Sequence, residues 1–409
     1  MCRQAVSALA LAGALAAAPA AAQERAAGLR PDATSVEAGF WSVMDKAEAE
    51  AKTRADLNTD PALNAYVRGV MCKVAAAHCS DMRVYVMDRP FMNASMAPNG
   101  YSEVWSGLLL RASDEAELAY VLGHEASHFT ESHTIEAHRA QKTRANVVLA
   151  ATVVVAVAGA ASAASAGTAS EAQSIMDATG NTIDLIYYAQ IASFFRFSRE
   201  QEAEADLLGQ RKLAAAGYDP AAAAESWRAL TAETKGSDFK RVRESETRIS
   251  VFASHPLGAQ RIASLDAQAA TLKAGGDRGQ DRHRAAIRPF LSAWLRDDLR
   301  KRDFGQTLVV IDRLAAGGED LGVLNYYRGE AYRLRRGDGD LVKARDAYLA
   351  AAAQPDAPLA VWRELGDIRR REGDVVGART AYESYLAKAP QAEDAWMVQD
   401  SLSSLDNGK

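Results

Sequence analysis

Apolar positions recur at helical spacing over residues 36–54 and again over 61–77. Both stretches are therefore expected as helices with one buried face. The second opens at Asp60-Pro61, a helix-start signal. Residues 82–88, MRVYVMD, alternate with period two and predict a strand. Residues 93–107, NASMAPNGYSEVWSG, read as two short strands around a Pro-Asn-Gly turn. A long helix is expected over 113–140, with Ser113 as its cap and Glu115 and Glu117 in the first turns, where the helix dipole favours acids. Residues 198–216 predict another helix, stopped by Gly217.

Residues 145–170 carry no charge. A buried or loosely packed helix is the expectation, with contact to a membrane surface or a hairpin in the bilayer as alternatives. Beyond a polar, glycine-rich stretch at 273–281, expected to open a linker over 273–285, the pattern repeats. KARDAYLAAAAQP (343–355) aligns with GARTAYESYLAKAP (377–390), pairing Ala344 with Ala378 and Tyr348 with Tyr382. That offset is the period of tetratricopeptide helix pairs. Trp362, Leu365, Gly366 and Pro390 fit the same pattern, and a divergent unit is expected over 288–316. Such repeats stack into a concave surface that binds peptides or partner proteins.

The net charge of −5 comes with no basic run, so nothing points to nucleic acid. Arg3, the apolar stretch 5–18 and Ala20-Ala21-Ala22 before Gln23 read as a signal peptide over 1–22. Export, most simply to a bacterial periplasm, would place Cys72 and Cys79 in an oxidising compartment. Their even count favours a disulfide over free thiols or a metal site with His78.

Chemistry enters at GHEASHF, residues 123–129. His124 and His128 stand one helical turn apart and share a face. Neutral imidazoles at that spacing suit a tetrahedral zinc ion. Glu125, offset by one residue, can take a proton from zinc-activated water without being a ligand. The metzincin pattern fails, because Glu131 and Thr134 stand where it needs glycine and histidine. His133 and His138 are expected as solvated helix residues. The better third ligand is Glu202 in SREQEAEADLLG (198–209), with Asp206 one turn on as acceptor for a ligand histidine's far nitrogen.

HExxH at 124–128, ExxAD at 202–206 and SHPLGAQRI at 254–262 resemble the gluzincin metallopeptidases that include the CAAX prenyl protease and the bacterial heat-shock membrane protease. The resemblance implies one zinc ion per chain. It also places His255 close to the metal, with Arg261 nearby. His255 would then either donate to the reaction's oxyanion or fill zinc's fourth position as a removable latch. NASMAPNGY (93–101) resembles the family's strand ahead of the catalytic helix, where Asn93, Ala94, Ser95 and Met96 would form an edge that pairs with extended substrate. Ser95 and Trp105 depart from the family's glycine-rich, aliphatic version.

The expected fold is mainly α with a small β-sheet: a zincin-like metallopeptidase domain over 23–272, then an α-solenoid of tetratricopeptide repeats over 286–409. The expected function is an exported zinc endopeptidase acting on unfolded or misassembled envelope proteins. Its repeats would recruit substrate or the outer-membrane assembly machinery. The alternative is a chaperone or assembly scaffold with a latent peptidase site.

Overall fold

The structure is a computed structural model and describes residues 24–140, 197–244 and 259–406, together with the single positions 162, 168, 173, 174 and 195. The signal-peptide reading, nearly all of 145–170, and His255 lie outside the described residues. Among the described residues, no helix is long and apolar enough to cross a membrane.

Helices α1 (Val36–Ala51) and α2 (Pro61–Val74) match the two periodic stretches, with Ser35 and Asp60 accepting from backbone amides of their first turns. A disulfide joins Cys72, in the last turn of α2, to Cys79. Strands β1 (Arg83–Met87), β2 (Ala94–Met96) and β3 (Tyr101–Trp105) form a sheet in the order β1-β3-β2. β3 is parallel to β1 and antiparallel to β2, with Ser95 opposite Glu103. β2 is thus an edge strand among the described residues. A short helix, α3 (Ser106–Arg111), follows the sheet.

The long helix expected over 113–140 is two helices. α4 (Glu115–Thr130) ends at Glu131, Ser132 takes a left-handed backbone with φ 57°, and α5 (His133–Ala140) sets off again. Neither glycine nor proline marks that break. The cap is Asp114, whose carboxylate accepts from the Glu117 amide, rather than Ser113. α6 (Arg199–Ala215) begins with a reciprocal Ser198–Gln201 capping box. It is followed by α7 (Ala222–Gly236) and α8 (Ala259–Ala269).

Residues 273–285 are not an open linker. Asp277 and Tyr218 bridge as strand partners, the Arg278 carbonyl accepts from the Ala116 amide, and Arg278 pairs with Asp114 and Glu225. Within α9 (Gln280–Ile287), His283 is buried between Tyr66 and the Leu109 carbonyl. Glycine-rich polar composition reads as a linker, but here the polar groups are spent on fixed partners.

Seven helices follow: α10 (Leu291–Arg300), α11 (Phe304–Ala315), α12 (Leu321–Arg335), α13 (Asp340–Ala352), α14 (Ala360–Arg371), α15 (Val375–Lys388) and α16 (Ala395–Asp406). From α12 onward each packs on the next. The two aligned units share one packing device. The ring of Tyr348 on α13 lies against Gly329 of α12, and that of Tyr382 on α15 lies against Gly366 of α14. A Cβ at either glycine would meet the ring at 2.4 or 2.3 Å, so the sequence repeat is also a repeat of contact.

One hydrophobic cluster runs from Leu63 on α2 through Leu118 and Trp227 to Ile368 on α14. At the seam, the buried Arg111 guanidinium reaches Glu233 of α7 at 2.8 Å and Asp298 of α10 at 2.7 Å. Burial alone would push the Asp298 carboxyl up; Arg111 and Lys301 outweigh it and hold it low. Removing one partner of such a network strands the others without water. Arg111→Ala should therefore lower unfolding free energy by about 3–5 kcal/mol, read from urea titration of the full chain. A loss below about 1 kcal/mol, typical of exposed pairs, would mean the seam is not held this way.

Candidate metal centre

α4 and α6 lie against each other at two glycines. A Cβ on Gly209 would stand 2.7 Å from the His124 amide nitrogen, and one on Gly123 would stand 3.1 Å from the Gly209 carbonyl oxygen. With no side chain at the crossing, the two backbones approach closely. The crossing sets the histidines of α4 opposite the first turns of α6, which carry Glu202 and Asp206.

Ligand atoms of His124, His128 and Glu202 all fall within 4.8 Å of one another, and all three residues are buried. The two Nε2 atoms are 3.1 Å apart. Each lies 3.7 Å from a Glu202 carboxylate oxygen. A tetrahedral zinc ion with bonds of about 2.0–2.1 Å needs its ligand atoms roughly 3.3 Å apart. Two imidazoles and one carboxylate are also the donor set of a catalytic zinc site with three protein ligands. Among the described residues, three buried carboxylates, Glu125, Glu202 and Asp206, gather there beside the Arg261 guanidinium, and carboxylate oxygens are ligands that a divalent cation takes. The residues present therefore fit zinc.

Asp206 organises the surroundings. Its Oδ1 is 3.0 Å from His124 Nδ1 and accepts from Tyr120 Oη at 2.8 Å. Trp227 Nε1 donates in turn to that hydroxyl. Arg261 grips the same carboxylate with two bonds of 2.6 Å, reaches Glu202 Oε2 at 3.3 Å, and lies 4.3 Å over the Trp227 ring. Burial would push the Asp206 carboxyl up, but His124 and Arg261 hold it far below the usual carboxylate range. Burial would likewise depress His124; the carboxylates of Asp206, Glu202 and Glu125 outweigh it and raise its affinity for a proton. Arg261 is thus committed to the carboxylates that hold the ligands.

His133 is not a solvated residue. It is fully buried, with its Nδ1 2.9 Å from His128 Nδ1 and its Nε2 3.4 Å from Glu204. If His128 uses Nε2 for metal, its Nδ1–H donates to His133, which must then carry its own proton on Nε2, facing Glu204. Each tautomer is fixed by the next residue out. His128 is also stacked on Phe197, with centroids 3.8 Å apart. His138 is half-buried, with its ring 4.3 Å from that of Phe40. In a continuous helix His133 would sit about 140° around from His128. The turn at Ser132 brings it back, and no residue type in the sequence announces that turn.

Glu125 is buried on α4 between the two histidines. Asn93, Ala94, Ser95 and Met96 stand at the sheet edge, where β2 packs against α4.

The profile of Peptidase family M48 matches residues 57–269, just over half of the chain. The chain is similar to the mitochondrial metalloendopeptidase OMA1 of Arabidopsis thaliana, 31% identical over 137 residues, which cover 34% of this chain and 23% of that protein. It is also similar to the mitochondrial metalloendopeptidase OMA1 of Danio rerio, 44% identical over 45 residues, covering 11% of this chain and 9% of that protein. The matched segments thus span less than a quarter of either relative's length.

Metal analysis tests the assignment of neighbours to ligands. Glu202→Ala should lose bound zinc, since it removes one of three protein ligands. Asp206→Asn and His133→Ala should keep the site but weaken zinc affinity roughly 10–100-fold, as substitutions behind a ligand do. Full zinc occupancy in Glu202→Ala, or unchanged affinity in both other variants, would place the metal elsewhere.

Proposed function

This chain belongs to peptidase family M48, and we propose that it is an exported zinc endopeptidase cutting unfolded or misassembled envelope proteins. The observation that carries the chemistry is the convergence of His124, His128 and Glu202 around one point, with Glu125 buried on the same helix. When bound, zinc supplies Lewis acidity, polarising the scissile carbonyl and acidifying water. His124, His128 and Glu202 hold the ion. Glu125 takes the proton of the attacking water as its oxygen bonds to the carbonyl carbon. The same carboxyl returns that proton to the amine nitrogen as the C–N bond breaks. Asp206 and His133 hold the two imidazoles in register.

The edge position of β2 supports substrate docking by strand addition. Main-chain hydrogen bonds along Asn93–Met96 would bind extended chains of many sequences, which suits a peptidase for unfolded segments. We read 23–272 as the peptidase domain and 286–409 as tetratricopeptide repeats that recruit substrate or outer-membrane assembly machinery. The repeated Tyr–Gly contact supports the second part. This layout is similar to that of the periplasmic β-barrel assembly-enhancing protease. A signal peptide over 1–22 and a periplasmic site, with membrane-surface contact through 145–170, belong to the same proposal. The rival reading, a scaffold with a latent site, is separated from it by activity.

Purified protein should degrade casein, and a chelator should stop it. Glu125→Gln should retain zinc while cleavage falls about 10²–10⁴-fold, the usual share of a general base. Zinc-loaded wild-type protein with no cleavage would favour the scaffold. His255, proposed as a removable fourth ligand, gives a second test. His255→Ala should raise basal casein cleavage at unchanged zinc content, and a sharp fall would instead assign it to the oxyanion.

A further inference from the structure

A groove with a volume of about 890 Å³ lies among the C-terminal helices, lined by none of the residues of the metal centre. Arg296 and Arg300 of α10, Arg302 just beyond its end and Arg336 at the end of α12 line it. Among the described residues its one lining carboxylate, Glu330, already accepts from Arg333 and Tyr348, and Arg300 pairs only with Asp297 beside it. Arg296, Arg302 and Arg336 have no ion pair among the described residues. Four guanidiniums therefore line a space in which the described residues offer no further carboxylate. Phe304, Tyr326 and Leu334 line the same groove.

Two of these arginines sit where an arginine is conformationally disfavoured. Arg302 and Arg336 have φ 60° and 58°, in the left-handed region that ordinarily selects glycine at helix ends. The chain does use glycine when it ends α11 and α14: Gly318 has φ 77° and Gly373 has φ 80°. Neither of those glycines lines the groove. Strain of this kind persists where the side chain has a use.

We infer that this groove binds an extended acidic segment of a protein, its carboxylates on the arginines and its apolar side chains on Phe304, Tyr326 and Leu334. Charge complementarity gives the sign of the ligand. A concave groove between helices favours a strand of chain over a membrane, whose flat surface cannot enter it. Four guanidiniums, two from one helix and two from helix ends, match several carboxylates better than a lone anion. Guanidinium forks bind carboxylates with two parallel hydrogen bonds. The inference rests on the reading of these helices as a recruiting surface, and sets the chemistry of what they recruit.

The test reads binding, not cleavage, so its failure would leave the peptidase reading standing. Full-length zinc-loaded protein carrying Glu125→Gln is titrated against a fluorescein-labelled, unstructured peptide rich in Glu and Phe. The same peptide with Gln for Glu serves as control, as do vesicles containing anionic phospholipid. The acidic peptide should bind, weaken with added salt, and lose roughly tenfold or more in affinity when Arg302→Gly and Arg336→Gly are combined. The Gln peptide should bind far less. The double glycine variant should keep or raise its melting temperature, because glycine relieves the left-handed positions. That separates lost binding from lost fold. Equal binding of Glu and Gln peptides, unchanged affinity in the glycine variant, or a preference for vesicles over peptide would each overturn the inference. A melting temperature that falls together with affinity would mean the arginines serve the fold rather than a ligand.

Discussion

Helices α4 and α6 meet backbone to backbone at Gly123 and Gly209, and the metal centre depends on that contact. A methyl group at Gly209 would come within 2.9 Å of both the amide nitrogen and Cα of His124, far inside van der Waals separation. Pushed apart by that much, the helices would carry Glu202 away from the imidazoles and Asp206 away from His124 Nδ1. Neither helix is amphipathic in the ordinary sense. α4 is buried on every face and brings histidines and glutamates into the core with it. Polar groups inside a core must be paired, so this crossing had to be built together with its charges.

The pairing is done by a few fixed side chains. Asp206 takes hydrogen bonds from Tyr120 and Arg261 and faces His124. Arg261 also lies beside Glu202 and over Trp227. Because Trp227 belongs to α7 and Arg261 to α8, two more helices are tied to the geometry of the ligands. The same logic recurs at the seam with the C-terminal helices, where Arg111 joins Glu233 and Asp298 out of water. The chain belongs to peptidase family M48, and the first of these clusters surrounds the residues that could hold its metal.

Much of this was legible in the sequence, for identifiable reasons. One-turn spacing put His124 and His128 on a shared face, and alternation marked the strands. The Glu202–Asp206 pair stood out once a third ligand was sought. The structure brings all four residues together. The 34-residue offset of Tyr348 and Tyr382 was legible because it records a packing contact. What could not be read was set by backbone turns without a residue signature and by tertiary partners. Ser132 breaks a helix that has no glycine or proline there, and the break turns His133 from a surface residue into the support of His128. The 273–285 stretch has a linker's composition, but its carbonyls and arginines find partners only in three dimensions. Arg302 and Arg336 look like ordinary surface residues until their backbone conformation is seen.

The central claim is that one zinc ion is held by His124, His128 and Glu202. Anomalous diffraction from crystals of the purified protein, recorded on both sides of the zinc absorption edge, tests it most directly. The account predicts a single zinc peak per chain, about 2.0–2.1 Å from Nε2 of each histidine and from a Glu202 carboxylate oxygen. A zinc peak bonded to other residues, or none at this site in protein that cleaves casein, would contradict it.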